Sequence, residues 1–99
     1  MYIKIYRILN CESALFYNEG LQIYHLIEKE IEKNKSVTLS FKGVEKCSTQ
    51  FLNQAIAKLY LNFSSSKLKK QLHFKEVESL SLLKEKISEV IEKALLTLE

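Results

Sequence analysis

The 99-residue chain contains no proline, only two glycines (Gly20 and Gly43) and only two cysteines (Cys11 and Cys47). Without proline or a Gly-rich stretch it offers neither the composition of a disordered linker nor a Gly-rich phosphate loop. The cysteines are far apart, so there is no CxxC motif, and in a cytoplasmic protein a structural disulfide between them is not expected. No apolar run exceeds four residues, which excludes a membrane-spanning helix. The opening Met1-Tyr2-Ile3-Lys4-Ile5-Tyr6 lacks the basic start and apolar run of a signal peptide, and a cytoplasmic location is expected. Arg7 is the only arginine, and a net charge of +3 is too small to demand a nucleic-acid partner.

What is present is ordinary for a globular protein: 46% apolar and 27% charged residues. A chain of this length makes one domain over residues 1–99, with a single modest core.

Periodicity organises the chain into three strand–helix pairs. Tyr2 to Leu9 alternates, with Ile3 and Ile5 on one side, as a strand does. From Glu12 to Asn34 the apolar residues Leu15, Phe16, Leu21, Tyr24, Ile27 and Ile31 recur at helical intervals. Gly20 inside that helix is disfavoured by about 1 kcal/mol relative to alanine, which points to close packing against a neighbouring backbone. A second strand spans Ser36 to Phe41, followed by a tight turn at Gly43. The next helix begins near Ser48 or Thr49 and carries Phe51, Leu52, Ala55, Ile56, Leu59, Tyr60 and Phe63. Ser64 to Ser66 should end it. A third strand is expected from Lys70 to Lys75, and a last helix from Ser79 or Ser81 to Leu98.

This order predicts an α/β domain, β-α-β-α-β-α, with a mainly parallel three-stranded sheet and right-handed crossovers. Sequential strand order would put both crossover helices on one face. The opposite face would then carry Tyr2, Lys4, Tyr6, Thr38, Ser40, Gln71, His73 and Lys75, either as a partner surface or as a plain polar face. Two open sheet edges also favour association, with a homodimer as one outcome.

Few residues suggest chemistry. Cys47, at the mouth of a helix, is either an activated thiol or a small buried residue. A phosphatase-type loop would need arginine at position 53, which is Asn53. Cys11, His25, Cys47 and His73 are scattered singly rather than paired as zinc ligands, so no metal site is expected. Neither histidine stands in a readable triad motif. Lys67, Lys69, Lys70 and Lys75 lie near Phe63 and Phe74, either as a nucleic-acid-binding cluster or as a solubilising loop. Glu85, Glu89 and Glu92, interleaved with Lys84, Lys86 and Lys93, read as a solvated helix face. Ser48 and Thr49 are each a good helix cap, and each could accept a phosphate.

Val37-Thr-Leu-Ser-Phe-Lys-Gly-Val44, Cys47-Ser-Thr-Gln-Phe-Leu-Asn53 and Ala55-Ile-Ala-Lys-Leu-Tyr60 together resemble the bacterial STAS-like domain family. Leu72-His-Phe74 and the segment from Leu83 to Ala94 fit the same pattern. The resemblance implies a STAS-like fold related to the anti-sigma-factor antagonists. In those antagonists an Asp-Ser-Ser-Gly motif is phosphorylated on its first serine by a kinase with a GHKL-type ATPase fold. Aligning Gly43-Val44 on their Gly-Val puts Ser48 at the aspartate, Thr49 at the phosphoacceptor, Gln50 at the second serine and Phe51 at the glycine. The resemblance thus implies a non-enzymatic interaction module without a cofactor, binding a GHKL-type ATPase or kinase through Ser48, Thr49, Gln50 and Asn53 next to the Gly43 turn. Thr49 or Ser48 would be the phosphoacceptor. The alternative is a small nucleic-acid-binding protein using the Lys67–Lys75 cluster.

Overall fold

A computed structural model describes residues 1–77 and 82–97. Tyr2–Lys4 forms β1, where Ile3 is buried and its two neighbours face outward. The expected strand to Leu9 stops there, because Ile5–Leu9 is a short helix, α1, closed by Asn10 in the left-handed region (φ 53). Ile5 and Leu9 are four residues apart and share the inner side of that helix. Ile5 is fully buried and Leu9 packs partly against the core. One helical turn therefore satisfies the apolar residues that alternation had assigned to a strand. Tyr6 leaves the sheet with it.

Ser13–Ala14 forms a two-residue strand, β2, so helix α2 runs from Tyr17 to Glu32 rather than from Glu12. Glu19 sets that start. Its carboxylate accepts the N–H groups of Leu15 (3.2 Å) and Phe16 (3.1 Å), the acidic half of a capping box. Phe16, expected on the apolar stripe, is 66% exposed. The buried stripe of α2 is Gly20, Ile23, Tyr24, Ile27 and Ile31.

Val37–Ser40 is β3, with Val37 and Leu39 fully buried. The chain then turns at Gly43 (φ 85) and forms β4, Lys46–Cys47, which pairs in parallel with β2. The long helix expected from Ser48 is present, with one widened turn: α3 (Thr49–Leu52), a π turn (Asn53–Ala57) and α4 (Lys58–Asn62) follow without a break. Ser64 does not open a plain loop. Its hydroxyl accepts the N–H of Lys67 at 3.2 Å and caps a further helix, α5 (Ser65–Gln71), so the third sheet strand, β5, covers only Leu72–Lys75. Helix α6 is Leu83–Thr97. The expected start at Ser79 or Ser81 and the end at Leu98 lie outside the described residues.

The sheet has the order β1-β3-β5 and is parallel throughout. Its register lines up Ile3, Leu39 and Phe74 in one row, and Val37 beside Leu72. These residues share one buried cluster with the inner sides of α2, the α3–α4 helix and α6, and α2 and α6 each pack on the α3–α4 helix. The outer rows are Tyr2–Thr38–His73 and Lys4–Ser40–Lys75. Tyr2, Lys4, His73 and Lys75 are exposed, as alternation required of a sheet covered on one side. Ser40 departs from that expectation. It is fully buried beneath Glu76, donating to its carboxylate at 2.6 Å, and the Tyr2 hydroxyl donates to the same oxygen at 2.9 Å. Gln71 is the last residue of α5 rather than a strand residue, and is half-buried. Among the described residues no helix is long and apolar enough to cross a membrane.

Candidate functional site

The β2–β4 pairing decides what the two hydroxyls at the start of α3 do. It carries the N–H of Ser48 to the carbonyl of Ala14 (3.0 Å) and sets Ser48 in extended backbone, φ −93 and ψ 157. From there its Oγ accepts the N–H of Phe51 at 3.0 Å and donates to the carbonyl of Leu15 at 2.7 Å. Ser48 is therefore the N-cap, and it also ties α3 to the segment that leads into α2. Thr49 and Gln50 lie in the first turn and are exposed. Asn53, four residues after Thr49 and three after Gln50, shares their side of the helix and is also exposed. Phe51 and Leu52, between them, are fully buried.

Ser48, Thr49, Gln50 and Asn53 are thus brought together, with the first as scaffold and the other three on the surface. Gly43 is not part of that group. It faces Tyr6, whose ring would lie 3.2 Å from a Cβ added to the glycine, and its positive φ independently favours a residue without one. Phe51 is core.

Sequence reasoning missed the surroundings of this surface. Tyr17, 47% exposed at the first position of α2, lines a cleft of about 510 Å³ together with Asn53, Gln54, Lys93 and Thr97. The signal was available only in part. Phe16 reads as a member of an apolar stripe and Tyr17 does not stand out in the sequence, and it is the start of α2 set by the Glu19 cap that leaves both exposed.

The other candidates are dispersed. Cys47 is buried on β4, and burial pushes its thiol up to about 12, against a smaller opposing pull from Lys86. At neutral pH it is a thiol rather than a nucleophilic thiolate. Lys86, expected on a solvated face, is half-buried and its Nζ donates to the carbonyl of Cys47 at 3.4 Å. His25 is exposed on α2, 3.6 Å from Glu28 and edge-on to Tyr24, while His73 lies on the outer sheet face. Among the described residues no three His, Cys, Asp or Glu side chains converge as metal ligands. Lys67, Lys69 and Lys70 sit on α5, whereas Lys75 ends β5 beside the Tyr2 ring. Phe63 and Phe74 are half-buried against the core, with the Lys67 ammonium 5.8 Å from the Phe63 ring.

A family model described as a STAS-like domain of unknown function (DUF4325) matches residues 19–81. No curated protein and no solved structure matches the chain. The matched stretch holds most of α2, the whole strand–turn–helix unit from β3 to α4, and the third sheet strand. With the parallel α/β sheet and nearly two-thirds of its length inside the match, the chain belongs to the family of STAS-like domains of unknown function.

Proposed function

We propose that the domain is a non-enzymatic interaction module that binds a regulatory protein partner through the first turns of α3, in the manner of an anti-sigma-factor antagonist. One observation carries this reading: Ser48 is engaged in holding the fold together, while Thr49, Gln50 and Asn53 reach solvent on one side of the helix, and Tyr17 shares a cleft with Asn53. A rigid polar patch flanked by an exposed aromatic residue is the composition of a protein-contact surface. By family likeness the partner is a GHKL-type ATPase or kinase.

Phosphate fits Thr49 better than Ser48. On Thr49 it would add a charge of about −1.5 to −2 at the positive end of the helix dipole, without disturbing the cap. On Ser48 it would remove the hydroxyl hydrogen that bonds Leu15. The test is capture of the partner by the intact chain, followed by affinity measurements on variants. Thr49→Glu should weaken the complex at unchanged melting temperature, and Gln50→Ala with Asn53→Ala should weaken it further. Full affinity in Thr49→Glu would remove the phosphate switch, and full affinity in the double variant would remove the surface itself.

A further inference from the structure

Three cations meet in a groove separate from the α3 surface. It lies beyond the carboxyl ends of β1 and β3, holds about 420 Å³, and is lined by Lys4, Tyr6, Arg7, Asn10, Lys42 and Gly43. Each cation comes from a different element: Lys4 closes β1, Arg7 belongs to α1, and Lys42 sits in the turn after β3. All three are exposed, and among the described residues no ion pair involves any of them. Glu76 is felt electrostatically by Lys4 and Lys42, yet it is engaged by the Ser40 and Tyr2 hydroxyls and does not line the groove.

Like charges gathered in a concave site repel one another, and an anion relieves that repulsion. Guanidinium forks match phosphate oxygens two at a time, which a lysine cannot do, and the only arginine of the chain stands here. The volume is within the range of small-molecule sites, roughly 300–1,000 Å³. Tyr6 is 45% exposed with its ring against Gly43, giving the groove one flat apolar wall.

We propose that this groove binds a small, multiply charged phosphate compound, with Arg7 gripping a phosphate and Lys4 and Lys42 flanking it. The site is independent of the protein-binding surface on α3.

The experiment is an amide-resolved NMR titration of the intact chain with pyrophosphate, with a nucleoside diphosphate, and with citrate as a carboxylate control. Pyrophosphate should give saturable shifts at Arg7, Asn10, Lys42 and Gly43. Arg7→Glu with Lys42→Glu should weaken that binding at least about tenfold, while Lys67→Glu with Lys69→Glu, the same change of net charge on α5, should leave it within about twofold. Tighter binding of the nucleoside diphosphate that falls to the pyrophosphate level in Tyr6→Ala assigns a ring-bearing ligand. Equal binding of the two assigns a ligand recognised by phosphate alone. Absence of saturable shifts in the groove, equal weakening by both charge-reversal pairs, or citrate binding as tightly as pyrophosphate would overturn the proposal.

Discussion

A methyl group on Gly20 would lie 2.7 Å from the carbonyl oxygen of Phe51 and 2.7 Å from the Cβ of Gln54. Helix α2 thus meets the start of the α3–α4 helix backbone to backbone, at the place where the latter widens into its π turn. The obstructing atoms are a main-chain oxygen and a Cβ, neither of which can swing aside. Gly20→Ala gains about 1 kcal/mol of helix propensity, but overpacking of a close contact costs about 1–3 kcal/mol. The expected net effect is a destabilisation of up to about 2 kcal/mol, read as a lower denaturant midpoint at unchanged slope. A raised midpoint would mean that the two helices can move apart freely.

The two neighbouring hydroxyls at the α3 start should respond very differently to removal. Ser48→Ala loses the cap of Phe51 and leaves the carbonyl of Leu15 without its partner, a loss of about 1–3 kcal/mol. Thr49→Ala, on the exposed surface, should stay within about 0.5 kcal/mol of the parent. Urea denaturation of the two variants side by side is sufficient, and similar losses would contradict the division of roles between them.

Burial makes Cys47 inert and also sensitive to alkali. At neutral pH iodoacetamide should label the half-buried Cys11 of the folded protein well before Cys47, whose labelling should follow unfolding. The folded thiol titrates at about 12 and the unfolded one near 9.0. Its contribution to stability is therefore whole below pH 9.0 and declines as the pH rises from there towards 12. Tyr24 acts in the same direction, because burial and the Glu28 carboxylate raise its hydroxyl from 10.0 to about 12. Tyr24→Phe should accordingly flatten the alkaline fall in melting temperature, and an unchanged slope would exclude it as a contributor.

Glu76 sets the opposite limb. The Ser40 hydroxyl, then that of Tyr2, hold its carboxyl below the ordinary value of 4.5. The ionised form is the one favoured by folding, so its contribution is complete above that ordinary value and is lost as the pH falls through the folded one. Glu76→Gln keeps the size of the side chain and an oxygen able to accept both hydroxyls, and removes the charge. The variant should melt below the parent at neutral pH, and the gap should close in acid. A gap that widened in acid would reverse the assignment.

The sheet was legible from sequence because its inner and outer rows obey strict alternation: Val37, Leu39 and Leu72 against Thr38 and His73. The helix after β4 was legible from an apolar stripe too broad for any strand. What escaped were short elements whose identity depends on partners far away in the chain. Ile5 and Leu9 suit a strand and a helix turn equally well. Only β3, which pairs as far as Lys4 and no further, decides between them. Ser13–Ala14 and Lys46–Cys47 are strands only because each finds the other. Ser64 reads as a terminator, and α4 does end just before it, but the fold also uses it to start α5. At the candidate site, the hydroxyl pair could be found by its position before an apolar helix. Which hydroxyl was structural depended on the Leu15 carbonyl, 33 residues away. The groove formed by Lys4, Arg7 and Lys42 left no mark in local sequence at all, since its cations come from separate segments.

The position of β3 in the middle of the sheet has a consequence for synthesis. It pairs with β1, some thirty-five residues upstream, and with β5, about as far downstream, so a growing chain gains its sheet in two separate instalments. Once residue 41 is free of the ribosome, β1, α2 and β3 can assemble, but Gly20 and its neighbours on α2 still lack the helix that covers them. That face stays wet until Asn62 has emerged. The Gly43 turn, which looks like a natural place to divide the chain, is therefore a poor one: a fragment ending there would carry a sheet seed with an open apolar side, prone to stick to its own copies.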